Sequence, residues 1–232
     1  MGQFFRIRIL VIAVLISLAA NPSFSQNLPE DSEKEKVGYK KVLIQFGIFL
    51  GLEHSVRLTQ ERTRQELNGP FFRDWFRSAG SINGWDDGGR IGTNWILHPM
   101  QGSTSAFIFA QNDPISQKAQ FGWNKNYFNA KKRQFIFAVI YSENFELGPI
   151  SESSIGNVGI NGEGHGYIDH VLTPSIGILL SIGEDAADKY WIRPVMVNHK
   201  IVGRAMALVL NPGRSAANVL AGHWPWYRKA AS

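Results

Sequence analysis

Cysteine is absent from the 232 residues. That excludes disulfides, even in an oxidising compartment, and it excludes a lipid-modified N-terminal cysteine. Charged residues make up 19% of the chain against 44% apolar ones, a balance that argues against disorder and against a protein of many membrane spans. Segments alternating apolar and polar residues over ~10 positions are missing too, which removes the signature of an outer-membrane barrel. No internal repeat and no low-complexity block occurs. The motif vocabulary is equally thin. There is no His-Glu-x-x-His metal spacing and no Gly-x-Ser-x-Gly elbow. The glycine-rich stretch Gly156–Gly166 lacks the lysine and Ser/Thr of a phosphate loop, and reads as a hinge or linker. Trp85-Asp86-Asp87-Gly88-Gly89 lacks the spaced oxygen ligands of a calcium loop, and reads as a turn.

What is present begins with a leader. Arg6 and Arg8 precede an apolar run from Ile9 to Ala20, followed by Asn21-Pro22-Ser23-Phe24-Ser25 with small residues before a cut after Ser25. Such an h-region is too short for the ~20 residues of a spanning helix, so residues 1–25 read as a cleaved signal peptide. Losing Arg6 and Arg8 lowers the net charge of +5 to +3. A mildly basic exported chain points to anionic lipid or polysaccharide and away from nucleic acid. Export places it in the periplasm or against the outer membrane of a Gram-negative bacterium. Residues 26–38 are polar and charged, a flexible lead-in to a single domain over 39–232.

That domain reads as mainly α, an irregular bundle of five to seven helices. Apolar Val42–Leu52 runs into charged Glu53–Leu67, where Glu53/Arg57 and Arg62/Glu66 stand four apart. The spacing predicts one long helix from Tyr39 to Leu67, buried in its first half and solvated in its second. Phe71, Phe72, Trp75 and Phe76 form a short amphipathic helix closed by Gly80. Ser116 to Leu147 reads as a second long helical region with a break near Asn129, and Ser151 can start a short helix after Gly148-Pro149. Thr173 as N-cap with Pro174 behind it starts a helix running to Trp191. Val197–Leu210 is a further helix, and Asn211-Pro212 opens the last.

The chain is organised around Asn94-Trp95-Ile96-Leu97-His98-Pro99-Met100-Gln101-Gly102. Pro99 suits a first helical turn, so a helix is expected from there to about Gln111, with His98 at its positive end. Gly102, Ser103, Ser105 and Ala106 let a neighbouring helix come close, and Gly177 with Ser181 offers another narrow face. His98, Gln101, Ser105 and Asn112 fall along one side. They either bridge and cap within a packed bundle or line a polar seam for a ligand, in which Asn94, Gln101, Ser105 and Asn112 are the candidate substrate contacts.

Together with Trp85-Asp86-Asp87-Gly88, Gln111-Asn112-Asp113-Pro114, Phe145-Glu146-Leu147-Gly148-Pro149, Ser151-Glu152 and Asn211-Pro212, this stretch resembles uncharacterised exported proteins of acidobacteria and related Gram-negative bacteria. It is similar, more distantly, to a larger envelope family bearing Asn-x-x-x-His-Pro-x-x-Gly. The resemblance spans about Leu67 to Tyr227. It implies an exported helical protein and supplies no activity and no cofactor.

For chemistry the candidates are His98 with Glu146, Glu152 and Asp169, and Glu143, His170 and Thr173 close by in sequence. One histidine with two or three carboxylates can ligate a metal, or can divide acid and base roles if burial separates their pKa values. The bland alternative has Glu143 and Glu146 ending a solvated helix and Asp169 ordering a turn. Two segments mix rings and cations: Trp123–Phe128 leading into Lys131-Lys132-Arg133, and Trp224, Trp226 and Tyr227 with Arg228 and Lys229. Such mixtures suit a lipid–water boundary. Two functions follow: a membrane-peripheral helical protein binding lipid or a partner, and a hydrolase of envelope lipid or glycan built on the His/carboxylate set.

Overall fold

A prolyl residue inside a helix loses one backbone hydrogen bond and presses its ring on the carbonyl four residues back. This chain answers that pressure twice in the same way. In the computed structural model, which describes residues 36–59, 61–66, 69–86, 91–158, 160 and 165–229, a π-helical turn Thr93–Leu97 stands just before His98-Pro99, and another, Asp188–Ile192, just before Arg193-Pro194. His98 N donates to Thr93 O and Arg193 N to Asp188 O, five residues back. The wider turn passes each proline without breaking the helical path. His98 is therefore not a helix entrance, since helical backbone already leads into it, and it gains no N-terminal macrodipole.

Among the described residues the fold is all α, with no strand. The elements run α1 Tyr39–Leu58, α2 Glu61–Glu66, α3 Phe71–Gly80, α4 His98–Asn112, α5 Pro114–Lys118, α6 Lys125–Leu147, α7 Glu152–Ile155, α8 Ile168–Ala187, α9 Arg193–Asn198, α10 Lys200–Leu210 and α11 Pro212–Leu220. The expected leader and most of the lead-in lie outside the described residues. The lead-in's end is already docked: Gly38 N donates to Asn112 O at 2.9 Å, and Val37 packs on Val42, Phe107 and Ile108.

α4 is the central helix. Every residue from Gln101 to Phe109 is buried, packed by α8, α6, α11 and α1. Its small residues carry the α8 crossing. A Cβ built on Gly177 would lie 2.6 Å from Gly102 Cα, so the two backbones touch and neither position admits a side chain without displacement. Leu50, Tyr141 and Phe145 join α1 to α6, and Ala187, Ile192 and Ala207 close the C-terminal part.

Several boundaries differ from the pattern in the sequence. The Tyr39–Leu67 helix stops at Leu58 and resumes at Glu61. Its apolar half is not buried on most sides: Leu43 is 65% exposed, and Ile44, Ile48 and Leu52 are exposed as well. The Ser116–Leu147 region breaks at 119–124, not near Asn129, because the Asn124 side chain caps α6 by accepting from Tyr127 N at 2.9 Å. α8 starts at Ile168, leaving Pro174 inside it. Thr173 is thus no N-cap, and Asp169 and His170 belong to the first turn. α9 and α10 part at His199. Ser151 caps α7 as expected, through a reciprocal box with Ser154.

The ring-and-cation segments turn inward at Lys131, Arg133 and Arg228, while Lys132 and Lys229 stay exposed. Lys131 is buried, with Nζ 2.7 Å from an Asp185 carboxylate oxygen and 3.0 Å from both Gln134 and Ser181 oxygens. Arg133 makes a two-pronged pair with Asp113 at 2.9 and 3.0 Å. Arg228, expected beside the tail's rings at a lipid boundary, instead pairs with Asp188 and is nearly buried. Trp226 packs on the C-terminal core and under Arg204. Trp224 stays exposed, stacked on Trp226 at 5.5 Å, and Tyr227 is half-exposed.

Candidate metal centre

The Gly102–Gly177 contact sets the register of the site. His98 lies one turn before Gly102 and Thr173 one turn before Gly177, so the touching glycines bring those two side chains together. His98 Nδ1 lies 3.1 Å from Thr173 Oγ1. Asp169, four residues before Thr173 on the same face of α8, brings a carboxylate oxygen to 3.5 Å from His98 Nε2. Glu146 reaches the same point from the last turns of α6. One ligand atom from each of His98, Glu146 and Asp169 fits within a mutual distance of 4.8 Å.

A second group shares Glu146. Ligand atoms of Glu146, His165 and His170 also lie within 4.8 Å of one another. His170 comes from the first turn of α8, and its Nδ1 lies 3.1 Å from Glu143 Oε1. His165 precedes α8, where two short segments run side by side. Asn83 N donates to His165 O at 2.8 Å, and Tyr167 N and Ile168 N donate to Gly84 O and Trp85 O. A Cβ on Gly166 would meet the Asp86 carbonyl carbon at 2.5 Å, so only glycine fits this passage. His165 Nδ1 sits 3.2 Å from Ser78 O. A proton on Nδ1, donated to that carbonyl, leaves the lone pair on Nε2.

Charge accumulates here. Burial acts to lower the His170 pKa, but the hydrogen bond and charge of Glu143, with the charges of Glu146 and Asp169, outweigh it and hold the imidazole above its ordinary value. Glu53 stands close enough for Glu146 to act on it. Burial pushes the Glu53 carboxyl up to about 7, against hydrogen bonds from Tyr141 and Gln101 and with help from Glu146. Those bonds are Tyr141 Oη to Glu53 Oε2 at 2.5 Å and Gln101 Nε2 to the same oxygen at 3.2 Å. Burial first, then Glu53, pushes the Tyr141 phenol far above its usual range, so it remains a donor. Beside them His54 stacks on Phe145 at 4.8 Å. Burial, seconded by the Arg57 charge, brings its pKa down to about 4.

Of the residues singled out in the sequence, His98, Glu146 and Asp169 converge, with Glu143, His170 and Thr173 around them. Glu152 does not join them. Arg57 holds its carboxylate at the start of α7, with Nε 2.7 Å from Oε1, which also corrects the expected Glu53/Arg57 pairing along α1. Asn94 is buried in the π turn, and Gln101 reaches the edge of the centre through Glu53. Ser105 donates to Gly102 O at 2.9 Å, and Asn112 to Gln45 and to Ile108 O at 2.9 and 2.8 Å. Both serve helix structure. His165 and Glu53 escaped sequence reading: the first lies outside any helical period, and the second sat in a charge pattern that looked solvated.

What the arrangement can do follows from its donors. Imidazole nitrogens and carboxylate oxygens with no thiolate select borderline divalent cations such as Zn²⁺, Mn²⁺, Fe²⁺ or Co²⁺. Each histidine carries an outer partner on Nδ1 (a hydroxyl, a carbonyl and a carboxylate), the usual means of fixing a ligating ring. Comparison with protein-family models, with curated proteins and with solved structures finds no match to this chain.

Proposed function

We propose that the chain is a metal-dependent hydrolase of the bacterial envelope, in which His98, Glu146 and Asp169 hold a divalent cation. The observation that supports this reading is their convergence, within 4.8 Å, from three places far apart in sequence. His98, Glu146 and Asp169 would hold the cation, and the chemistry it would supply is activation of a water near neutral pH and polarisation of a substrate oxygen. Thr173 orients the His98 ring, and the Gly102–Gly177 crossing keeps His98 and Asp169 in register. Esters and phosphoesters are the substrate class this chemistry serves. The test is metal analysis of the purified full chain beside His98→Ala and Asp169→Asn, with hydrolysis of chromogenic acyl and phosphate esters. Bound metal in the wild type, lost with at least about 100-fold of the activity in either variant, is expected from removing a ligand. A metal-free wild type without hydrolytic activity defeats the reading.

Contact with lipid has its own support. Among the described residues no helix is long and apolar enough to cross a membrane. Yet α1 turns Leu43, Ile44, Ile48, Leu52 and Val56 outward, behind exposed Lys40 and Lys41. An apolar row with cations at one end suits an anionic membrane surface, and a lipid or lipid-linked ester is the substrate such docking would present.

A further inference from the structure

We infer that the centre is dinuclear, with Glu146 bridging two cations: one on His98 and Asp169, the other on His165 and His170. The inference rests on the single-cation reading above and deepens it. Its ground is the sharing of one carboxylate between two three-residue groups, each with ligand atoms within 4.8 Å. A carboxylate has two oxygens with separate lone pairs, so Glu146 can serve both sides at once. Ligands at ~2.1 Å around one cation stand roughly 3–4 Å from each other, so each group needs to close by no more than about 1–2 Å.

The second group is also prepared at its outer side. Glu143 engages His170 Nδ1 and the Ser78 carbonyl engages His165 Nδ1, which assigns Nε2 of both rings to the centre. The His170 side chain is nine-tenths buried, and among the described residues its Nε2 meets no hydrogen-bond partner. A buried imidazole nitrogen without a partner, on a ring grouped with Glu146, is a costly arrangement for hydrogen bonding and a suitable one for a cation. The two rings stand 6.0 Å apart and near parallel, at 28°, and each offers a ligand atom within 4.8 Å of one on Glu146. The paired arrangement matches hydrolytic centres in which two cations clamp the attacking and leaving oxygens of one ester.

The experiment titrates metal-free full chain with Zn²⁺ and with Mn²⁺, counting bound metal and recording the electron paramagnetic resonance of the Mn²⁺ form. Two equivalents per chain and an exchange-coupled Mn²⁺ spectrum are expected. His165→Ala and His170→Ala should each hold about half the metal and give an uncoupled spectrum, while circular dichroism keeps the wild-type helical signature. Glu146→Gln should weaken both equivalents together. A wild type that binds one equivalent, unchanged by His165→Ala, overturns the dinuclear assignment and leaves the single-cation hydrolase standing. No binding at all overturns both. The wild-type count and spectrum decide the matter even if a variant fails to fold.

Discussion

Glu53 and His54 are neighbours whose titrations oppose each other. His54 drops from an ordinary 6.5 to about 4, so between those values the unfolded chain binds the extra proton. Its contribution is full above pH 6.5 and is lost as pH falls toward 4. Glu53 rises from 4.5 to about 7, so there the folded chain binds the extra proton. Its contribution is full below pH 4.5 and is lost as pH climbs to 7. Each is worth up to about 3 kcal/mol, and they offset one another over the shared window. His54→Phe, which keeps the stack on Phe145, should leave metal-free protein losing stability as pH rises from 4.5 to 7. Glu53→Gln should leave it gaining stability from 4 to 6.5. Urea unfolding across that range checks both, and variants with the wild-type pH slope would refute the assignment. Glu184 makes a second residue-level case. Its buried carboxylate accepts from Ser103 Oγ at 2.8 Å and from Gly213 N and Arg214 N at 3.1 and 3.0 Å, capping α11. Glu184→Ala strands those donors and should cost about 3–5 kcal/mol, with Glu184→Gln milder because one oxygen remains; equal melting of the two would argue against the cap. Legibility was uneven at this scale. His98, Glu146 and Asp169 stood out by residue type and by position at helix ends. Nothing local marked Glu184, and Lys131, which the sequence placed among surface cations, is buried on Asp185 and Ser181; both roles come from elements far away in sequence.

At the scale of elements, helical periodicity exposed most of the segments; Pro99 and Pro212 marked first turns of α4 and α11, and Pro174 misplaced the start of α8. Pro99 does sit in the first turn of α4, with a π turn leading into it that the pattern does not show, whereas Pro174, read as a first-turn residue, is the seventh residue of α8. A proline tolerates an interior position when a widened turn or strong packing absorbs one missing bond, and sequence pattern carries neither fact. The glycines were more readable. Gly102 and Gly177 announced narrow faces, and those faces meet. Gly177→Ala places a methyl 2.6 Å from Gly102 Cα, so the helices must part. The expected cost is about 2–3 kcal/mol, together with weaker metal binding, because the same crossing aligns His98 with Asp169. A variant that is destabilised but binds metal with wild-type affinity would show that the crossing does not set the site's register. Gly183→Ala is the control on the same helix, since a Cβ there meets nothing within 4 Å.

The whole molecule presents a contrast between a polar interior and an apolar outer row. Its centre is rich in paired charges, from Lys131–Asp185 to Asp113–Arg133, while α1 shows water the side chains that sequence hydropathy assigned to the core. Periodicity could not reveal this reversal, because an apolar helix face looks alike whether it meets protein or lipid. Of the cations expected to help at the C-terminal tail, Arg228 is committed to Asp188 and exposed Lys229 donates to Gln117, so α1 is the surface to test first. Leu43, Ile48 and Leu52 are 65%, 48% and 57% exposed, and replacing them together by serine should change stability by little more than about 1 kcal/mol. If α1 docks on lipid, wild-type protein pellets with vesicles containing anionic phospholipid, and the triple variant loses at least about tenfold in partitioning. Raising the salt should weaken the wild type only in part, since the apolar share of the contact is not screened. Equal partitioning of the two proteins, or no pelleting of the wild type, would leave that row to a protein partner and detach hydrolysis at this centre from a membrane surface.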